Sequence, residues 1–225
     1  VPRAVLRLLA DLLAPRACAV CGLPGPSCCA ACLAALPAPP PPRCARCGHP
    51  WALAVTRCRE CRGPLVRADQ ACLYAGAAPA LVGALKDRRR RDLAPLMAAV
   101  IAARCPPPPR GAVLVPVPLG TRRRRRRGFN QSALLAHGLA RAWGAPVRAD
   151  ALRRTGPEPP QRGASRRGRA RQVAGAFHAR GAVPEVCWLV DDVHTTGATL
   201  AACAVALRRA GAARVGAVAF ARVVR

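Results

Sequence analysis

The chain has 225 residues, 52% of them apolar, with 37 Lys and Arg against 10 Asp and Glu, for a formal charge of +27. That length holds one hydrophobic core plus a small annex. The charge favours polyanions, whether nucleic acid, anionic lipid or phosphorylated small molecules. Thirteen cysteines, an odd number, argue against a fully paired disulfide framework. Lys86, Asn130 and Ile101 are each the only residue of their kind, a bias that itself accounts for part of the arginine excess.

At the N-terminus, Leu6, Leu9, Leu12 and Leu13 share a helical face, so residues 1–16 are expected to form one amphipathic helix ending near Pro15. Asp11 interrupts the apolar stretch and no A-x-A site follows, so it is read neither as a signal peptide nor as a membrane span. Residues 17–63 carry four C-x-x-C knuckles: Cys18 and Cys21, Cys29 and Cys32, Cys44 and Cys47, Cys58 and Cys61. Two cysteines at this spacing chelate a metal from a tight turn, and two knuckles complete a closed thiolate site, so eight ligands suit two structural zinc ions. Pairing within each half is adopted, although the spacing also permits interleaving. Cys28 competes with Cys29, but only Cys29 keeps the two-residue gap to Cys32. His49 is read as a turn residue. Thiolates held this way imply a reducing, cytoplasmic setting.

From residue 64 onward the elements lengthen. "ACLYAG" reads as a strand, and residues 79–105 as helix broken or bent around the Arg88–Arg91 cluster and Pro95. "PPPP" at 106–109 is a stop, "AVLVPVPL" a buried strand and "NQSALLAHGLARAWG" a helix, followed by a polar Arg/Gly/Pro stretch over 153–172. Strand, loop, helix ("ATLAACAVALRRAGA") and strand ("RVGAVAFARV") close the chain. Alternating strands and helices predict an α/β fold, a parallel sheet with helices on both faces.

Such sheets bind ligands beyond the carboxyl ends of their strands. "CWLVDDVHTTGATL", residues 187–200, falls at that place. Thr195, Thr196, Gly197, Ala198 and Thr199 would wrap a phosphate with backbone N–H groups and hydroxyls at the start of a helix. Asp191 and Asp192 are placed to accept hydrogen bonds from vicinal sugar hydroxyls. Phosphate and diol together describe a ribose 5-phosphate.

"WLVDDVHTTGAT" resembles the phosphoribosyl pyrophosphate (PRPP) motif of type I phosphoribosyltransferases, in which two acids hold the ribose and the loop holds its 5-phosphate. With "DLLAPRACAVCG", the knuckles, "VPVPL" and "RGFNQ", the resemblance widens over nearly the whole chain to the ComF family of competence-associated proteins. That resemblance implies a double zinc ribbon at 17–63 joined to a phosphoribosyltransferase-like domain at 64–225. It implies a pyrophosphate or anion loop at Arg127, Gly128 and Asn130, with Phe129 and Gln131 in the same block, and a phosphate-facing Lys86. It also implies a mobile loop in which Arg169, Val173, Gly175, Ala176 and Phe177 fit the family's pattern and Gln172 replaces an asparagine. Arg122–Arg127 is a dense array of anion donors on any reading.

Two function classes stay open. One is a DNA-uptake accessory protein that holds single-stranded DNA, keeps a PRPP pocket and works with uptake-machinery proteins. The other is a Mg²⁺-dependent phosphoribosyltransferase, for which the sequence supplies the PRPP side and leaves the nitrogenous acceptor and the catalytic residues unassigned.

Overall fold

The computed structural model describes residues 17–155 and 175–224. The expected N-terminal helix over 1–16 and the loop positions Arg169, Gln172 and Val173 lie outside these residues. In chain order the elements are α1 (Ala30–Ala34), β1 (Ala68–Leu73), α2 (Ala78–Lys86), α3 (Leu93–Arg104), β2 (Val113–Pro116), α4 (Thr121–Arg127) and α5 (Gln131–Trp143). Then come β3 (Leu152–Arg154), β4 (Phe177–Ala179), β5 (Val186–His194), α6 (Ala198–Arg209) and β6 (Arg214–Arg222).

Four strands form a sheet in the order β1-β6-β5-β2, with every neighbouring pair parallel. β3 and β4 make a separate antiparallel hairpin. The central strands are apolar on both faces because both are covered. Trp188 and Val190 of β5 share a core with Leu81 and Leu85 of α2, Met97 and Ile101 of α3, and Leu135 and Leu139 of α5. Cys187 and Leu189 point the other way, onto Leu200, Cys203 and Leu207 of α6 and Leu152 and Phe177 of the hairpin. Each large apolar side chain buried in this way contributes about 1.5–3 kcal/mol. Trp188 is accommodated because its register partner on β6 is Gly216, where a Cβ would overlap the indole ring.

The helix break expected around the Arg88–Arg91 cluster is found there. The helix over 79–105 is two helices, and the break falls at residues 87–92. Pro95 does not cause it, because Pro95 lies in the first turn of α3, where a missing N–H leaves no helical bond unmade. The arginine run Arg122–Arg127, given no secondary structure from sequence, lies in the helix α4, closed at Gly128 in the left-handed conformation with φ 79°. Asn130 then caps α5, its Oδ1 accepting from Ser132 N at 3.0 Å. Among the described residues, no helix is long and apolar enough to cross a membrane.

Candidate metal centres and anion pocket

The eight knuckle cysteines gather into two groups, Cys18, Cys21, Cys29 and Cys32 in one and Cys44, Cys47, Cys58 and Cys61 in the other, with all sulfurs in each group within 4.8 Å of one another. This is the within-half pairing. Four thiolates around a zinc at about 2.3 Å stand about 3.8 Å apart in a tetrahedron. The separations are 3.8 Å for Cys21–Cys29, 3.5 Å for Cys44–Cys61, 3.5 Å for Cys47–Cys58 and 3.9 Å for Cys58–Cys61. Backbone N–H groups already point at sulfur, Cys29 N to Cys18 Sγ at 3.4 Å and Cys58 N to Cys44 Sγ at 3.3 Å. Burial pushes the Cys18 thiol up, but N–H groups of its knuckle outweigh this and bring it down to about 5. The same balance brings Cys44 down to about 6. The donor set and spacing fit zinc. Cys28 stays outside the group, and burial pushes its thiol up to about 11.

The two modules are bound into the fold differently. Cys18, Ala19, Cys28 and Leu36 belong to the large core under α2 and α3. The second module sits at the carboxyl ends of β5 and β6. There Arg222 Nη1 donates to Cys47 O at 3.0 Å and meets the His194 ring nitrogens at 3.0 and 3.1 Å, while Nη2 meets His49 Nδ1 at 3.1 Å. Gln70 Nε2 lies 3.0 Å from His194 Nδ1 and donates to Cys47 O at 3.2 Å. Burial, reinforced by the Arg222 charge, lowers the His194 pKa to about 3, so the ring is neutral. His49 is therefore a partner of Arg222.

Beyond the same sheet edge lie the two aspartates. Asp192 follows Trp188 and Val190 onto the face that carries α2 and α5, so the end of each helix reaches it. Lys86, the last residue of α2, forms an ion pair with Asp192 Oδ2, and Gln131, the first of α5, donates from Nε2 to Asp192 Oδ1 at 3.2 Å. Arg127 Nη1 donates to Gln131 Oε1 at 2.6 Å, and its Nη2 stands 3.8 Å from Asp87 Oδ1. Ser132 Oγ donates to Asp191 Oδ1 at 3.0 Å, as does Asp192 N at 2.9 Å. Asn130 Nδ2 donates to Val117 O at 2.9 Å, fixing the turn after β2. Lys86, Arg127, Asp191 and Asp192, far apart in sequence, thus join one polar network.

Burial and the adjacent Asp192 charge raise the Asp191 pKa to about 8. Burial also opposes ionisation of Asp192, but the Lys86 ammonium outweighs it and holds Asp192 below the usual carboxylate range. One charge of the aspartate pair is thereby matched by Lys86, and the half-buried Asp191 is the better placed to exchange its partner for a ligand hydroxyl.

The loop from Thr195 to Thr199 leaves β5 at once and enters α6. Gly197 is left-handed at φ 75°, and a Cβ there would stand 2.9 Å from His194 Nε2. Thr196 Oγ1 accepts from Ala198 N at 3.4 Å. Backbone N–H groups at the start of a twelve-residue helix make this turn a fitting anion seat.

Ser132, His194, Gln70 and Arg222 were not singled out from the sequence. Ser132 sits in the N-cap turn beside Asn130, which is a weak signal. His194 ends the motif strand; Gln70 and Arg222 carry none.

No family model matches the chain. Over 175 residues it is 36% identical to the DNA utilization protein YhgH of Salmonella typhi, covering 75% of this chain and 77% of that protein. Over 179 residues it is 35% identical to the protein of the same name from Escherichia coli K12, covering 75% and 79%. The chain belongs to the YhgH family. Its Shigella flexneri relative is 34% identical over 179 residues. For this YhgH-family chain, the α/β fold with a parallel sheet and two four-cysteine sites agrees with the fold expected from sequence.

Proposed function

We propose that this YhgH-family chain is a ComF-like protein that handles single-stranded DNA during uptake and carries a PRPP-binding pocket of the phosphoribosyltransferase type. The relatives' name ties them to DNA utilization. The observation that carries the reading is the convergence of Asp191, Asp192 and the Thr195–Thr199 turn at the carboxyl edge of the sheet, next to a helix made almost wholly of arginine. Asp191 and Asp192 accept the ribose hydroxyls, Thr195, Thr196, Gly197, Ala198 and Thr199 seat the 5-phosphate, and Lys86, Arg127, Gly128 and Asn130 frame the pyrophosphate. Mg²⁺ enters with PRPP, held through its phosphates, and would neutralise pyrophosphate charge. Residues 17–63 act as a structural zinc ribbon and 64–225 as the ligand-binding domain, in the cytoplasm. Uptake-machinery proteins are its partners.

DNA binding follows from charge. Arginine contacts to phosphate release counterions, so affinity falls steeply with salt and depends little on sequence. With three Trp, one Tyr and three Phe, base stacking contributes little.

The pocket also supports a second reading, a Mg²⁺-dependent phosphoribosyltransferase, because Lys86 and Arg127 bring cationic side chains to the network around Asp192 and a departing pyrophosphate needs such charge. Calorimetry with PRPP and Mg²⁺, beside ribose 5-phosphate, separates these readings from an empty fold. Measured above pH 8, where both carboxylates are ionised, Asp191→Asn with Asp192→Asn should weaken binding roughly 10-fold to 150-fold for each charge-assisted bond lost. Gly197→Val should weaken it comparably by crowding the turn. No heat with the parent protein at millimolar PRPP rejects the pocket, and pyrophosphate release when nitrogenous acceptors are offered selects the transferase.

A further inference from the structure

The segment between α2 and α3 is a second run of arginines, Arg88–Arg91, whose side chains alternate between two neighbours. The even members reach the first four-cysteine module. Arg88 Nη2 donates to Ala19 O at 3.0 Å, and Arg90 Nη1 donates to Ala17 O at 3.3 Å. Arg90 also grips Asp92, with Nη2 to Oδ2 at 2.8 Å, and Asp92 Oδ2 accepts from Ser27 Oγ at 2.5 Å. Ala17 and Ala19 flank Cys18, and Ser27 lies between the two knuckles, so these contacts tie the segment to the metal-binding turns themselves.

The odd members turn toward α4. Arg89, held at φ 56°, donates from Nη2 to Arg126 O at 2.5 Å. It thereby satisfies a carbonyl in the last turn of the arginine helix. Arg91 lies over the Phe129 ring at 4.6 Å, and its Nη2 comes within 3.4 Å of where a Gly128 Cβ would be. A left-handed conformation at a bulky, charged residue persists only where surrounding contacts over-determine it, and Arg89 is held by its bond to Arg126 O while Arg88 and Arg90 on either side of it are held by the module. Arg89, Arg91, Arg122, Arg124, Arg125 and Arg126 are all exposed, and the Arg89 bond to Arg126 O together with the Arg91 contact to Phe129 brings the two runs side by side.

The second four-cysteine module touches a different element. A Cβ on Gly63 would stand 2.7 Å from Ala201 Cβ in the first turns of α6, and Arg62 Cβ lies 3.8 Å from the Cβ position of Gly197. A small cavity between them is lined by Cys47, Cys61, Arg62, His194 and Gly197. With the Arg222 contacts to Cys47 O and His194, this module backs the threonine turn.

We infer that the first four-cysteine module is a clamp that assembles one polyanion-binding face from two arginine runs, through Arg89 and Arg91 of one and Arg122 and Arg124–Arg126 of the other, while the second module supports the threonine turn. The inference rests on the DNA reading for the polyanion's identity. Arg88, Arg90 and Asp92 are positioning residues, and Arg89 and Arg91 join the face itself. Holding two cationic segments side by side opposes their mutual repulsion, so the clamp is needed most when no polyanion is bound.

The deciding variant is Asp92→Ala in the full-length zinc-loaded protein, because it leaves all eight cysteines intact and its two candidate effects have opposite signs. If Asp92 were only a surface charge, removing it from a basic face would tighten polyanion binding. As a clamp it should weaken binding of oligo-dT, read by fluorescence anisotropy, roughly three- to fivefold. Zinc content should be unchanged, and amide hydrogen exchange should rise over 87–92 and 121–129 but not over 194–201. Gly63→Ala should give the mirror result, faster exchange over 195–201 with unchanged oligo-dT affinity. Asp92→Ala binding as tightly as the parent or tighter, or either variant loosening both regions alike, overturns the inference. A parent that binds polyphosphate in the clamp-dependent manner but not oligo-dT supports the face and rejects the DNA reading.

Discussion

Lys86→Met tests the network at the strand ends most directly, because methionine keeps most of the apolar stem of lysine and removes the ammonium group. The Lys86 side chain is 26% exposed and that of Asp192 4%. Without the ammonium, the Asp192 carboxylate retains the Gln131 amide as a donor and sits beside Asp191. Removing one partner of a fully buried ion pair costs about 3–5 kcal/mol, and partial exposure of Lys86 lets water recover some of it, leaving roughly 2–3 kcal/mol. For a chain of this size that is a fall of roughly 4–12 °C in Tm. Urea unfolding at pH 7 should show a lower midpoint with an unchanged slope. Lys86→Met combined with Asp192→Asn should recover at least half of the loss, since the uncompensated charge then goes as well. A single variant within about 0.5 kcal/mol of the parent, or a double variant that recovers nothing, would falsify the buried-pair account.

Metal analysis of protein made in zinc-replete, reducing conditions should find close to two zinc ions per chain, and Cys58→Ser should leave close to one; a metal-free parent rejects both four-cysteine sites. Asp191 yields a pH prediction. Its pKa is raised to about 8 in the folded protein against about 3.9 unfolded, so its contribution is full below about pH 4 and lost as pH rises through about 8. Asp191→Asn lacks this dependence, and the stability difference between variant and parent should shift in the variant's favour between pH 5 and 8. Asp192, held below the ordinary range, acts in the opposite sense only at more acid pH. Parallel stability curves for the two proteins over that window would contradict the assignment.

Much of the site was legible in the sequence because its chemistry is local. Two cysteines separated by two residues share a turn, and a glycine after two threonines at a strand end marks a tight turn into a helix. The eight cysteines, the aspartate pair and Thr195–Thr199 are all of this kind. The breaks and registers were less legible. Pro95 drew attention as a breaker although a first-turn proline costs a helix nothing, and an arginine run with no apolar face gave no periodicity from which to read α4.

What the sequence determined by itself is the inventory and its spacing: an alternating α/β chain, eight knuckle cysteines and one threonine- and glycine-bearing turn from strand to helix. Tertiary structure alone decided which distant residues share an environment. Lys86, Gln131 and Ser132 reach the aspartates, and Arg127 joins them through Gln131, because the parallel strands deliver their carboxyl ends, and the helix ends around them, to one edge. Arg222 and Gln70 reach His194 because β1, β6 and β5 lie side by side in the sheet. The alternation of Arg88–Arg91 between a four-cysteine module and an arginine helix depends on three segments meeting in space. Spacing along a chain fixes contacts only within a turn or two, and hydrogen bonds and ion pairs between segments become defined once packing has set the distance between their backbones.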